Sequence, residues 1–119
     1  MKIIVKKWLL DAASACRLIS KFTYQRDFEQ YDSDLMLRSA VERQFEIVGE
    51  ALNRAKTEEP SVIDYIPDVR RIIGLRNRII HGYDTVDNQI VWDIAHTELP
   101  AMMQQLESLI NKLDSNIFL

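Results

Sequence analysis

Between Arg76 and Tyr83 the chain reads Arg-Asn-Arg-Ile-Ile-His-Gly-Tyr. A permanent cation, an amide, an imidazole and a phenol therefore fall within one short run. A guanidinium stabilises oxyanions through paired N–H donors. An imidazole exchanges protons near neutral pH, because its unperturbed pKa is about 6.5. Arg76, Asn77 and His81 thus make an acid–base and anion-stabilising set.

Placing residues 69–83 on a helix at about 100° per residue shows how the set is arranged. Val69, Ile72, Ile73, Ile79 and Ile80 gather on one side, with Arg76 in the middle of that stripe. Tyr83, seven residues on, falls almost on the same line. Asn77 and His81 form an i, i+4 pair on the adjacent flank. Gly74 lies one turn below them and leaves open space. A guanidinium in an apolar stripe must be paired or lie at an interface. A buried salt bridge or a snorkelling side chain satisfies that demand. A dimer interface along this face explains the cation and the isoleucines together. His81 also has a plain reading, as a histidine near a helix C-terminus interacting with the last carbonyls. Tyr83 by itself reads as a partly buried phenol, and Arg70, Arg71 and Arg78 as a solvated face.

Other chemistries find little support. Two histidines fifteen residues apart and one distant cysteine do not make a zinc site. No acids cluster around His81 as a two-metal nuclease requires. There is no glycine-rich phosphate loop and no serine in a nucleophile motif. Neither a metal nor a cofactor is expected. Cys16 allows no internal disulfide, which fits a reducing compartment. No apolar run is long enough to span a membrane. The apolar stretches among the first ten residues are too short and interrupted for a secretory h-region. A cytoplasmic location is expected.

The net charge of −3 argues against a nonspecific polyanion binder. Its distribution matters more. Residues 69–83 carry Arg70, Arg71, Arg76 and Arg78 and no acid, a local positive surface compatible with RNA as a transient substrate.

The elements that must position this run are helical. A chain of 119 residues is expected to form a single domain over 1–119. Four long helical patterns are legible. The first covers about residues 6–24, with Trp8, Leu9, Ala12, Cys16, Ile19 and Phe22 inward. Cys16 on that stripe reads as a small core residue. The second covers about 34–56, with Ser33 as N-cap and Leu37, Val41, Phe45, Val48 and Leu52 inward. Gly49 inside it costs about 1 kcal/mol relative to alanine and reads either as close helix approach or as a tolerated defect. A connector at 58–66 has room for a short helical turn. Pro67 then opens the third helix, which Gly82 ends. After a polar loop at 84–87, Asp87 caps the fourth, which carries Val91, Ile94, Met102, Leu106, Ile110 and Leu113. Pro100 predicts a kink or restart there. His96 reads as a surface residue. The fold expected is an all-α, up-and-down bundle of four to five helices.

The form Arg-Asn-x-x-x-His-x-Tyr resembles the HepT-like branch of the HEPN superfamily. Two further segments resemble that family in the same order. They are Glu46-Ile47-Val48-Gly49-Glu50-Ala51, and Val86-Asp87 with Ile90-Val91-Trp92 and Leu99-Pro100. The resemblance covers about residues 35–113. Before about Phe28 the match is one of general character only. It implies a helical bundle that dimerises through the motif helix, with a cleft between protomers. It implies metal-independent RNA cleavage by Arg76 and His81, with Asn77 as the accompanying polar residue. RNA supplies its own nucleophile, the 2′-hydroxyl. Arg70, Arg71 and Arg78 would then contact RNA. The implied partner is a minimal nucleotidyltransferase antitoxin that attaches AMP to Tyr83, around a homodimer that can enter a larger hetero-complex. The alternative is a non-catalytic helical module that docks and regulates a nucleotidyltransferase.

Overall fold

A computed structural model describes residues 2–82 and 86–117. The helices are α1 (Ile3–Thr23), α2 (Phe28–Ser33), α3 (Leu35–Glu58), α4 (Val62–Tyr65), α5 (Val69–His81), α6 (Asn88–Asp93) and α7 (Leu99–Ile117). A π-helical turn, Ile94–Glu98, joins α6 to α7. The described residues contain no strand. The all-α bundle expected from periodicity is the observed fold.

Helix α3 is the central element, packing against α1 on one side and α5 on the other, while α1 also packs on α7. Ion pairs at the helix ends give the directions. Lys2 beside α1 reaches Glu58 at the end of α3, and Lys6 near the start of α1 pairs with Asp114 near the end of α7. Both neighbours therefore run antiparallel to α1. The interior is aliphatic with few aromatics: Leu9, Ile19, Phe45, Leu52, Ile72 and Leu106 are wholly buried. Ala12, Ala15 and Ala51 are buried beside them, and such small residues let helices approach closely.

The stripe read on the first helix is correct: Leu9, Ala12, Cys16 and Ile19 are buried, with Trp8 and Phe22 packed at its margin. Burial pushes the Cys16 thiol up to about 12, so it sits in the core as a thiol rather than a reactive thiolate.

The cap of α3 differs from expectation. Asp34, not Ser33, takes that place, its Oδ1 accepting from the Leu37 N–H at 3.0 Å. Ser33 is committed elsewhere, as the last residue of α2, with its hydroxyl donating to the Glu29 carbonyl at 2.8 Å. Helix α2 was not legible because it is short and has no full apolar stripe. A capping box between Asp27 and Gln30 starts it. Its buried Tyr31 then packs on Trp92 of α6, ring centroids 5.3 Å apart.

Pro67 does not open α5. It lies in a turn closed by the Val69 N–H to the Ile66 carbonyl at 3.2 Å, and the helix starts at Val69. The connector does hold a turn of helix, α4. Asp87 caps α6 as expected, accepting from Gln89 and Ile90. Pro100 has no N–H, and its ring crowds the carbonyl four residues back. The π turn immediately before it absorbs that conflict, the Leu99 N–H reaching the Ile94 carbonyl. Among the described residues no helix is long and apolar enough to cross a membrane.

Candidate active site

Helix α5 buries Val69, Ile72, Leu75 and Ile79. Leu75 belongs to the core face, whereas Ile80 is 38% exposed. Arg76 therefore stands at the edge of the core face and not at its centre, beside α3.

Gly49 makes that place possible. A β-carbon there would lie 2.3 Å from Arg76 Cβ and 3.3 Å from the Ile72 carbonyl oxygen. Only hydrogen fits between the helices at this point. The Arg76 side chain, 24% exposed, then runs along α3 to Glu50. Its Nη2 donates to Glu50 Oε2 at 2.6 Å, and its Nη1 donates to Asn77 Oδ1 at 2.8 Å. Its Nε is buried without a hydrogen-bond partner. Of the two readings of an arginine in an apolar stripe, the half-buried ion pair is realised within the protomer.

Glu50 is itself shared. Its Oε1 accepts from Arg54 Nε at 2.8 Å, and the Arg54 guanidinium lies over the Trp8 ring, 4.9 Å from its centroid. Trp8, Arg54, Glu50, Arg76 and Asn77 form one chain of contacts across α1, α3 and α5. Sequence reading placed Glu50 in the segment that resembles the family's second helix. It missed Arg54 and Trp8, although the Glu50–Arg54 spacing of four is the favourable acid-before-base order on a helix.

Arg76 lines a groove of about 460 Å³ between the three helices. Trp8, Leu18, Ile47 and Ile80 supply apolar walls, and Arg43, Glu46 and Glu50 supply charge. Glu46 is held by Arg43 at 3.3 Å.

His81 ends α5 and is exposed. It does not line the Arg76 groove. It lies five positions beyond Arg76, about 140° around the helix axis. Asn77 does not pair with His81 as the i, i+4 spacing suggested. Its Oδ1 goes to the Arg76 guanidinium, the stronger, charge-assisted donor. Tyr83 lies outside the described residues.

The remaining arginines divide. Arg70 and Arg78 are exposed. Arg71 is bound to Glu98 of the π turn, Nη1 to Oε1 at 2.9 Å. Burial pushes the Glu98 carboxyl above the ordinary range, Arg71 pulls it back and Asp68 adds to the rise. Glu42, on α3, is raised chiefly by burial and further by Glu46, against the pull of Arg38. His96 is exposed but not isolated. Its ring lies 3.9 Å from that of Trp92, and its Nδ1 is 2.9 Å from the Trp92 carbonyl oxygen. This stack and the Tyr31–Trp92 contact give it a packing role. Among the described residues no three His, Cys, Asp or Glu side chains are grouped to hold a metal ion.

The arginine in the open groove can bind a phosphodiester and the exposed imidazole can exchange protons, but the two do not share one groove within the protomer. The family model described as ribonuclease HepT-like matches residues 12–109. The chain is 32% identical over 109 residues to "Probable ribonuclease HepT" of Thermococcus cleftensis, covering 92% of this chain and 98% of that one. It is 30% identical over 110 residues to "Putative RNase MJ0125" of Methanocaldococcus jannaschii, covering 92% and 94%. It is 31% identical over 85 residues to "Putative RNase TTE0752" of Caldanaerobacter subterraneus, covering 71% and 75%. No solved structure gives a significant match.

Proposed function

Because the chain belongs to the HepT-like ribonuclease family, we propose that it is the toxin of a toxin–antitoxin pair. In this reading it is a cytoplasmic endoribonuclease that needs no metal. A minimal nucleotidyltransferase neutralises it by transferring AMP to Tyr83.

The observation that carries the reading is the Arg76 guanidinium, fixed by Glu50 and Asn77 in the wall of an open groove. Two of its five N–H groups are used and Nε is sealed, which leaves two for a phosphate. The RNA 2′-hydroxyl attacks phosphorus while a base removes its proton. The bond from phosphorus to the 5′-oxygen breaks, and an acid protonates that oxygen as it leaves. The products are a 2′,3′-cyclic phosphate and a 5′-hydroxyl. Arg76 stabilises the doubly charged phosphorane between them. Arg70 and Arg78 are free to meet flanking phosphates, whereas Arg71 is engaged by Glu98.

Arg76 and His81 lie about 140° apart around the α5 axis, and His81 does not line the Arg76 groove. A homodimer built on the α5 face brings two of each into one cleft, with one His81 as base and the other as acid. The half-exposed Ile80 and Leu18 beside Arg76 support such an interface, which withdraws them from water. AMP on Tyr83 adds an anionic phosphate and a base that compete with RNA for the site.

The test is RNA cleavage by unmodified protein in EDTA, with the product ends identified. Cleavage should persist, give cyclic phosphate ends, and fall by about 10²–10⁴ in His81→Ala. Cleavage abolished by EDTA would sink the proposal.

A further inference from the structure

We propose that Glu50 is a positioning residue for the ribonuclease reaction, setting the direction of the Arg76 guanidinium without touching RNA itself. The inference rests on the ribonuclease reading above and concerns how its phosphate-binding cation is held.

Arginine has four rotatable side-chain bonds, and a bidentate contact to phosphate needs the guanidinium plane fixed. Gly49 fixes the origin of the side chain by bringing α5 against α3. Glu50, the next residue, fixes its end at 2.6 Å. Asn77 holds the second nitrogen at 2.8 Å. A free glutamate would make a poor brace, since its own side chain rotates. Here its other oxygen is taken by Arg54, whose guanidinium rests on Trp8. The brace is therefore anchored on α1 as well as on α3.

The charges explain why a carboxylate so close to Arg76 does not cancel the anion site. Arg54, Glu50 and Arg76 together sum to +1. Removing Glu50 leaves two cations, so attraction for RNA is kept while aim is lost. This separates positioning from binding. A misplacement of about 1 Å can cost about 100-fold in rate.

The experiment measures kcat and KM of wild type, Glu50→Ala and Glu50→Gln on a fluorescein-labelled oligoribonucleotide of mixed sequence. The protein is made without a nucleotidyltransferase, and circular dichroism checks the fold. Glu50→Ala should lose about 10–100-fold in kcat with KM unchanged or lower. Glu50→Gln keeps a carbonyl acceptor and should recover part of the loss. Nuclear magnetic resonance of the Arg76 guanidinium, identified with Arg76→Lys, supplies a readout independent of cleavage. Separate Nη signals in wild type should merge in Glu50→Ala as rotation is freed. An unchanged kcat in Glu50→Ala, a loss wholly in KM, or guanidinium signals that ignore the substitution would each overturn the proposal. Were wild type to leave RNA intact, the ribonuclease reading falls, and the guanidinium signals alone decide whether Glu50 fixes Arg76.

Discussion

Gly49 and Arg76 are in backbone-to-stem contact: a β-carbon on Gly49 would stand 2.3 Å from Arg76 Cβ and 2.9 Å from its Cγ. Those atoms lie too near the α5 backbone to swing aside. Any side chain at Gly49 must push the whole helix away and carry Arg76 from Glu50.

Two glycine substitutions should consequently move stability in opposite directions. Gly49→Ala gains helix propensity but overpacks, at a cost of about 1–3 kcal/mol. Gly74 is exposed, and a β-carbon there meets nothing within 4 Å. Gly74→Ala should stabilise by about 0.4–1 kcal/mol. Urea denaturation of both variants reads the signs directly. A Gly49→Ala protein as stable as wild type would show that the helices separate at no cost.

Much of this contact could be read in advance. Gly49 inside a helical pattern left close approach and a tolerated defect as its two readings, of which the first holds, and Arg76 in an apolar stripe demanded a partner or an interface. Periodicity gave the long helices because each buries one continuous stripe. It did not give α2, whose six residues hold one buried side chain, or the π turn at Ile94–Glu98. It also could not show that Asn77 would turn to Arg76 instead of His81. That choice depends on where the guanidinium ends, which Glu50 sets from a different helix. The Arg54–Trp8 brace was hidden for the same reason, since it joins α3 to α1 through side chains far apart in sequence.

Mixing wild type with His81→Ala tests whether two histidines share one cleft. In a dimer with independent sites, equal mixing halves the activity per total protein. In a shared cleft only the wild-type homodimers cleave, about a quarter of a random two-fold population. Activity should therefore follow the square of the wild-type fraction once subunits have exchanged. A linear dependence would assign base and acid to one protomer.

Modification of Tyr83 is testable by mass. Protein co-expressed with its nucleotidyltransferase should gain one or more AMP units and lose RNA cleavage. Tyr83→Phe should gain none and stay active in the presence of the partner. A mass increase retained by Tyr83→Phe would place the modification on another residue and remove the proposed means of inhibition.

Glu98 should give the fold a pH dependence of definite sign. Its side chain is 14% exposed, and burial raises its carboxyl above the ordinary value of 4.5 despite the ion pair with Arg71. One of its oxygens is buried without a hydrogen-bond partner. Below the ordinary value both the folded and the unfolded chain hold the proton, and the contribution to stability is complete. As pH rises, the unfolded chain ionises first and the folded chain resists until its own higher pKa. Over that window the folded state binds more protons, so stability falls as pH increases. Glu42, also raised by burial, adds a slope of the same sign. Glu98→Gln keeps the acceptor for Arg71 and places a donor where the unpartnered oxygen stood. Urea midpoints taken from pH 4.5 to neutrality should therefore decline less in Glu98→Gln than in wild type. An equal or steeper decline in the variant would show that Glu98 ionises as readily in the folded chain as in the unfolded one.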